Sequence, residues 1–145
     1  MRMSKKTEYA LHTVLYLAYK ERDAVQLEEL AQRQNISKTY LAKVMQDLSR
    51  EGIVSATPGV KGGYTLGRDA SDITFADIFR IFEDGESTVA CQYEQRDCDA
   101  VPGCAILVIV KNAFEKFYSD LAQTSIADLK GMAQEAPFSA LWLKG

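Results

Sequence analysis

The sequence has 145 residues, 47% apolar and 26% charged, which fits one domain with a real core, or a small domain carrying an appended element. No apolar run approaches the ~18 residues a membrane span needs, and Met1-Arg2-Met3-Ser4-Lys5-Lys6 leads straight into an amphipathic pattern without a signal-peptide core, so the expected location is cytoplasmic. The net charge of −3 argues against a nucleic-acid partner only until it is divided: residues 1–68 hold 11 Lys/Arg against 7 Asp/Glu, and residues 69–145 hold 6 against 13, so a basic half precedes an acidic one.

Residues 4–20 read as a first helix, with Ala10, Leu11, Val14, Leu17 and Ala18 recurring at helical spacing on one face. Val25–Gln34 reads as a short second helix with Leu27, Leu30 and Ala31 inward, and Asn35-Ile36 makes a tight turn. Ser37 then offers an N-cap to a third helix whose buried stripe is Leu41, Val44, Met45 and Leu48. Glu51-Gly52 ends it, glycine suiting the left-handed C-terminal position.

Two short β-prone runs, Ile53–Ala56 and Tyr64–Leu66, flank the Gly/Pro-rich stretch 57–63 and predict a hairpin. Three helices, the last two joined by a tight turn and followed by a hairpin, make a winged helix-turn-helix. Ile73–Phe82 predicts a further short helix, and residues 84–103 show no periodicity. From Ala105 a long helix begins. Ile106, Ile109, Val110, Ala113, Phe117 and Leu121 line one side of it, and Leu107, Val108, Phe114 and Tyr118 a second. One side can pack on its own domain; the other calls for a partner, most simply in a symmetric homodimer. Ser125–Asp128 resembles a capping box for a last short helix.

The expected fold is therefore mainly α with a small β-hairpin wing. It divides into a winged helix-turn-helix over 1–68, a short helix and cysteine-bearing loop over 69–104, and a dimerisation helix with a C-terminal helix over 105–145.

Reading double-stranded DNA needs a helix whose outer face carries donors and positive charge. Opposite the buried stripe of the third helix stand Thr39, Lys43, Gln46 and Arg50, with Ser37, Lys38 and Tyr40 at the first turn, the end that meets base edges in this geometry. Lys61 at the hairpin tip can reach a minor groove or a phosphate, and Lys5 and Lys6 can anchor the backbone. Asp47 lies near this stripe and would repel phosphate. No Gly-rich phosphate loop and no Ser/His/Asp set supports catalysis, so the expected class is a non-enzymatic regulator.

The three cysteines are spaced Cys91-x6-Cys98-x5-Cys104. Structural zinc prefers short C-x2-C knuckles. Thiolates on a loose irregular loop suit an iron–sulfur cluster, and three of them leave one coordination position open. A metal-free set of redox thiols fits the same residues and remains the alternative.

The sequence resembles the Rrf2 family of bacterial regulators. The resemblance is carried by Thr7-Glu8-Tyr9-Ala10-Leu11, Leu30-Ala31, Ser37 to Leu41, Leu48 to Val54, and Gly62-Gly63-Tyr64-Thr65-Leu66, and it continues through the cysteines and the long helix. It implies a dimeric winged-helix repressor or activator that binds a palindromic operator, with the glycines Gly62 and Gly63 in the DNA-contacting wing. Many relatives carry an Arg ahead of these glycines, where this chain has Pro58. Several branches hold an iron–sulfur cluster, [4Fe–4S] or [2Fe–2S], and sense nitric oxide, iron, cluster supply or redox state. The branch governing cluster assembly has a His shortly after the third cysteine, where this chain has Leu107. Other branches look to a first-helix side chain of the partner subunit for the fourth ligand. Here Glu8 and His12, the chain's one histidine, lie one turn apart on a face turned away from the apolar stripe.

Overall fold

A computed structural model describes residues 2–83 and 103–135. The elements run α1 (Lys5–Lys20), α2 (Leu27–Gln34), α3 (Lys38–Arg50), β1 (Val54–Thr57), β2 (Gly63–Leu66), a 3-10 turn over Ala70–Asp72, α4 (Phe75–Phe82), α5 (Ala105–Ala122) and α6 (Ile126–Gln134). This is the expected mainly helical architecture with a hairpin wing. Among the described residues no helix is long and apolar enough to cross a membrane.

The buried part of α1 is wider than the expected stripe. Thr7, Thr13, Leu15 and Tyr16 join Ala10, Leu11, Val14, Leu17 and Ala18 inside, so α1 is the central helix around which the others assemble. Its buried polar groups are provided for: Thr13 accepts from Gln34 Nε2 at 2.8 Å, and the Tyr16 hydroxyl donates to Glu29. The Arg33 guanidinium lies 4.7 Å from the Tyr16 ring centre. Burial, with the Glu29 carboxylate beside it, pushes the Tyr16 hydroxyl up to about 12. What α1 leaves outside is a strip containing exposed Lys5 and Glu8 and half-buried Tyr9 and His12.

After α2, Asn35 adopts the left-handed conformation (φ 52°) and its N–H reaches the carbonyls of Ala31 and Gln32. Ser37 caps α3 by accepting from Tyr40 N at 3.1 Å. Leu41, Val44, Met45 and Leu48 are fully buried, and truncating a buried leucine of this kind to Ala costs about 2–5 kcal/mol. Gly52 (φ 72°) then turns the chain into β1.

β1 and β2 pair antiparallel, Val54 opposite Leu66 and Thr57 opposite Gly63. Val25, expected to open the second helix, instead forms an isolated bridge with Tyr64, its N–H donating to Tyr64 O at 2.9 Å and its carbonyl accepting Tyr64 N at 2.8 Å. A β-branched residue favours this extended pairing, and α2 starts two residues later with Gln26 as N-cap.

Thr74 and Ser125 each close a capping box, with Asp77 and Asp128 respectively. The two caps pair with each other, through Phe75 N to Thr124 O at 3.0 Å and Ile126 N to Ile73 O at 2.8 Å. Ile73, Ile78, Ile126 and Ala133 therefore share one core with α1–α3. α5 differs: none of its 18 residues is buried. It leans on α4 through an edge-to-face contact of Phe117 with Phe79, centres 5.8 Å apart, and through Arg80 over the Tyr118 ring at 5.4 Å.

Candidate functional site

The first turn of α3 is closed by its own cap and lies open to solvent. Ser37, Lys38 and Thr39 are exposed, and so are Lys43 and Gln46 one and two turns on. The same helix is fully buried along its other side, so the donors form a ridge on a rigid support. Arg50, at the far end, is engaged by Asp47 at 3.2 Å; the carboxylate that stood near the ridge is thereby paired with a cation of its own helix. Tyr40 is half-buried, and its ring meets Tyr9 of α1 edge-on with centres 5.7 Å apart. It thus joins the first turn of α3 to the strip of α1 that carries Glu8 and His12.

The wing owes its shape to two glycines. Gly62 is buried, and a Cβ there would stand 2.0 Å from the Thr57 carbonyl oxygen. Gly63 has φ 144°, and its Cβ would stand 2.6 Å from Val25 O. Both residues thus fix how the tip is carried; Lys61, beside them, is exposed. Gln26 completes the arrangement, its Nε2 donating to Val60 O and Gly62 O at 3.2 Å each. Sequence reasoning missed Gln26, whose role is visible only once the tip folds back over α2. It also missed Tyr9, whose signal was an aromatic on the outer strip of α1.

Lys5 and Lys6 are exposed in the first turn of α1. Of the three cysteines, Cys91 and Cys98 lie outside the described residues. Cys104 is half-exposed at the N-cap position of α5, its thiol making no capping hydrogen bond. The first turn that follows carries no acidic residue. Among the described residues no group of three or more His, Cys, Asp and Glu side chains is placed to hold a metal ion; Glu8, His12 and Cys104 do not come together as such a group within one subunit.

A family model described as Rrf2, iron-dependent transcriptional regulator, matches residues 3–131. Protein aau3 of Rhizobium meliloti (strain 1021) is 32% identical over 130 residues, covering 89% of this chain and 84% of that protein. The HTH-type transcriptional regulator IscR of Xenorhabdus nematophila is 30% identical over 130 residues, covering 89% of this chain and 79% of that protein. Among solved structures, CymR, the global cysteine regulator of B. subtilis, superposes with a TM-score of 0.72 at 28% identity, over 90% of this chain and 97% of that one. With its three-helix core, capped third helix and glycine-built wing, the chain belongs to the Rrf2 family of transcriptional regulators.

Proposed function

We propose that this regulator binds a palindromic operator as a homodimer, and that an iron–sulfur cluster held by Cys91, Cys98 and Cys104 sets its affinity. The observation that carries the DNA reading is the exposed ridge Ser37, Lys38, Thr39, Lys43 and Gln46 on a helix buried along its other side. In this reading the first turn of α3 and Tyr40 read base edges, while Lys5, Lys6 and Lys61 meet phosphates and Gly62 and Gly63 hold the wing tip against the duplex.

The donor set fits a cluster: three thiols with one position left open, of which Cys104 sits uncapped at a helix N-terminus. The family's own description, iron-dependent, supports it. When bound, such a cluster supplies a centre sensitive to redox state, nitric oxide and iron. Glu8 or His12 of the partner subunit is the fourth ligand in this proposal. The carboxylate or imidazole then ties the first helix of one subunit to the cysteines of the other and sets the spacing of the two α3 helices for sites about 34 Å apart along the duplex. Untied, the helices lose that register.

The test is anaerobic purification, a visible absorption spectrum, and iron and acid-labile sulfide analysis. Operator binding is then compared for the wild type and for Cys91→Ala, Cys98→Ala and Cys104→Ala. A brown protein with matched iron and sulfide, whose DNA response to oxidant is lost in the variants, supports the reading. A protein that stays colourless after anaerobic reconstitution overturns the cluster and leaves the metal-free thiol switch. Retention on DNA that does not weaken with salt overturns the DNA reading itself.

A further inference from the structure

Four helices begin on a hydroxyl N-cap, Ser4, Ser37, Thr74 and Ser125, and in three of them a carboxylate accepts the cap's own N–H. In α4 that acceptor is local: Thr74 N donates to Asp77 Oδ2 at 2.8 Å. In α6 it is local again: Ser125 N donates to Asp128 Oδ2 at 2.9 Å. In α1 the equivalent position, three residues after the Ser4 cap, holds Thr7, which has no carboxylate. Here the acceptor comes from 79 residues away: Ser4 N donates to Glu83 Oε1 at 2.7 Å, and the Thr7 hydroxyl donates to the same oxygen. The Ser4 and Thr7 hydroxyls are 2.9 Å apart, and Ser4 Oγ accepts Thr7 N at 3.2 Å. With the Thr7 hydrogen committed to Glu83, the Ser4 hydroxyl is the donor of that pair. The first turn of α1 is thus closed by a carboxylate that belongs to the end of α4. Burial opposes the charge on Glu83, but the bonds from Thr7 and Ser4 more than offset it and hold its carboxyl below the usual glutamate range.

That turn carries Lys5 and Lys6. We infer that Glu83 is a positioning residue for DNA binding: by completing the α1 capping box it fixes the turn from which Lys5 and Lys6 reach phosphates. The inference rests on the reading of those two lysines as phosphate contacts. It makes a prediction whose sign differs from plain electrostatics. Glu83 is an anion close to a cationic turn, so as a charge alone its removal strengthens DNA binding. As a positioning residue its removal weakens binding, because the turn frays and the lysines lose their geometry.

The experiment uses the full chain and a 30-base-pair duplex selected from a random pool by the wild type, with affinity measured across a salt series. Glu83→Ala is expected to weaken binding on the order of tenfold and to make the slope of log affinity against log salt shallower by about 0.9 for each phosphate no longer neutralised. Glu83→Gln keeps the accepting oxygen and is expected to stay near wild type. Thr7→Val, which removes one donor at constant volume, serves if Glu83→Ala does not fold, and is expected to reduce affinity and slope in the same direction. In a Lys5→Ala/Lys6→Ala background, Glu83→Ala is expected to add nothing further. If Glu83→Ala and Thr7→Val leave affinity unchanged or raise it, or if Glu83→Ala adds its full effect in the lysine-free background, the positioning role is overturned. If Lys5→Ala/Lys6→Ala itself changes neither affinity nor slope, it is the phosphate reading that falls.

Discussion

Replacing Gly63 by Ala tests whether the wing is held by backbone geometry. A Cβ at this position meets three backbone atoms of Val25, at 2.6, 2.7 and 3.0 Å. None of these is the movable end of a side chain, so the wing must withdraw from Val25. Withdrawal breaks the two hydrogen bonds of the Val25–Tyr64 bridge, now 2.9 and 2.8 Å, at about 1 kcal/mol each. Alanine at φ 144° adds about 1 kcal/mol or more of backbone strain. The sum, about 3 kcal/mol, is a large share of a small domain's stability. In urea, with a slope of about 1.5 kcal/mol per molar, the midpoint falls by about 2 M. DNA affinity is expected to fall with it, because Lys61 is carried on the displaced tip. Val60→Ala is the control: Val60 is 97% exposed at the same tip and should move neither quantity. A midpoint shift below about 0.5 M would refute the steric argument. Abolished DNA binding at unchanged stability would show instead that Gly63 acts by touching the duplex.

Ser37→Ala removes the acceptor for Tyr40 N; it should cost about 1 kcal/mol of stability and weaken DNA binding further by loosening the turn that carries Lys38, Thr39 and Tyr40, and an unchanged affinity in a folded variant would place base reading elsewhere. Tyr16 holds its proton up to about pH 12 in the folded chain and only to about 10 when unfolded, so stability should be full below pH 10 and decline from there toward 12 as the unfolded state alone ionises; denaturation across that range should show the decline in the wild type and lose it in Tyr16→Phe. Ile109→Glu places a charge on a side chain that is 69% exposed in one subunit; analytical ultracentrifugation should show a smaller species than the wild type with its helical content retained, and an unchanged sedimentation coefficient would remove this face of α5 from any dimer.

The elements most legible in the sequence were those whose reasons are local. Ser37 as a cap, the Leu41/Val44/Met45/Leu48 stripe, the capping box at Ser125 and the glycine-marked hairpin all follow from residues within a turn of one another. What was not legible depends on contacts between distant segments. Val25 was drawn out of α2 because Tyr64, 39 positions later, offers both partners of a bridge. The inner face of α1 was underestimated because helices closed around it from several sides, which no single-helix periodicity encodes. Gln26 supporting the wing tip and Glu83 closing α1 are of the same kind: polar residues with unremarkable neighbours whose partners arrive only on folding. For the candidate site, the donors of α3 were visible as a surface because the buried stripe opposite them was visible. How Glu8 and His12 relate to the cysteines was not, since in the proposed homodimer it turns on how two copies of the chain meet.

The exposed apolar side chains of α5 bear on that question. They are not spread along the helix: Ile106, Val108, Ile109 and Val110 are 76, 49, 69 and 39% exposed, all within the first two turns. Phe117 and Tyr118, nearer the other end, are the residues that hold α5 to α4. At 1.5 Å per residue the patch ends about 9 Å along the axis from Cys104. Leaving four such side chains in water forgoes about 25 cal/mol for each Å² that could be covered, which favours a cover over this end of the helix in particular. The patch begins at Ile106, two residues from Cys104, so a surface that covers that end of the helix lies beside the residue that carries the thiol. If that surface belongs to a second copy of the chain, the same contact that buries the patch brings foreign donors to the cysteine, and dimer formation and cysteine chemistry become one event. If the proposed cluster is held there too, replacing the Cys104 thiol and disrupting the apolar patch at Ile109 should weaken one another's readouts, so that Ile109→Glu lowers iron retention and Cys104→Ala lowers the association constant. Independent effects of the two substitutions would separate the thiol from the interface.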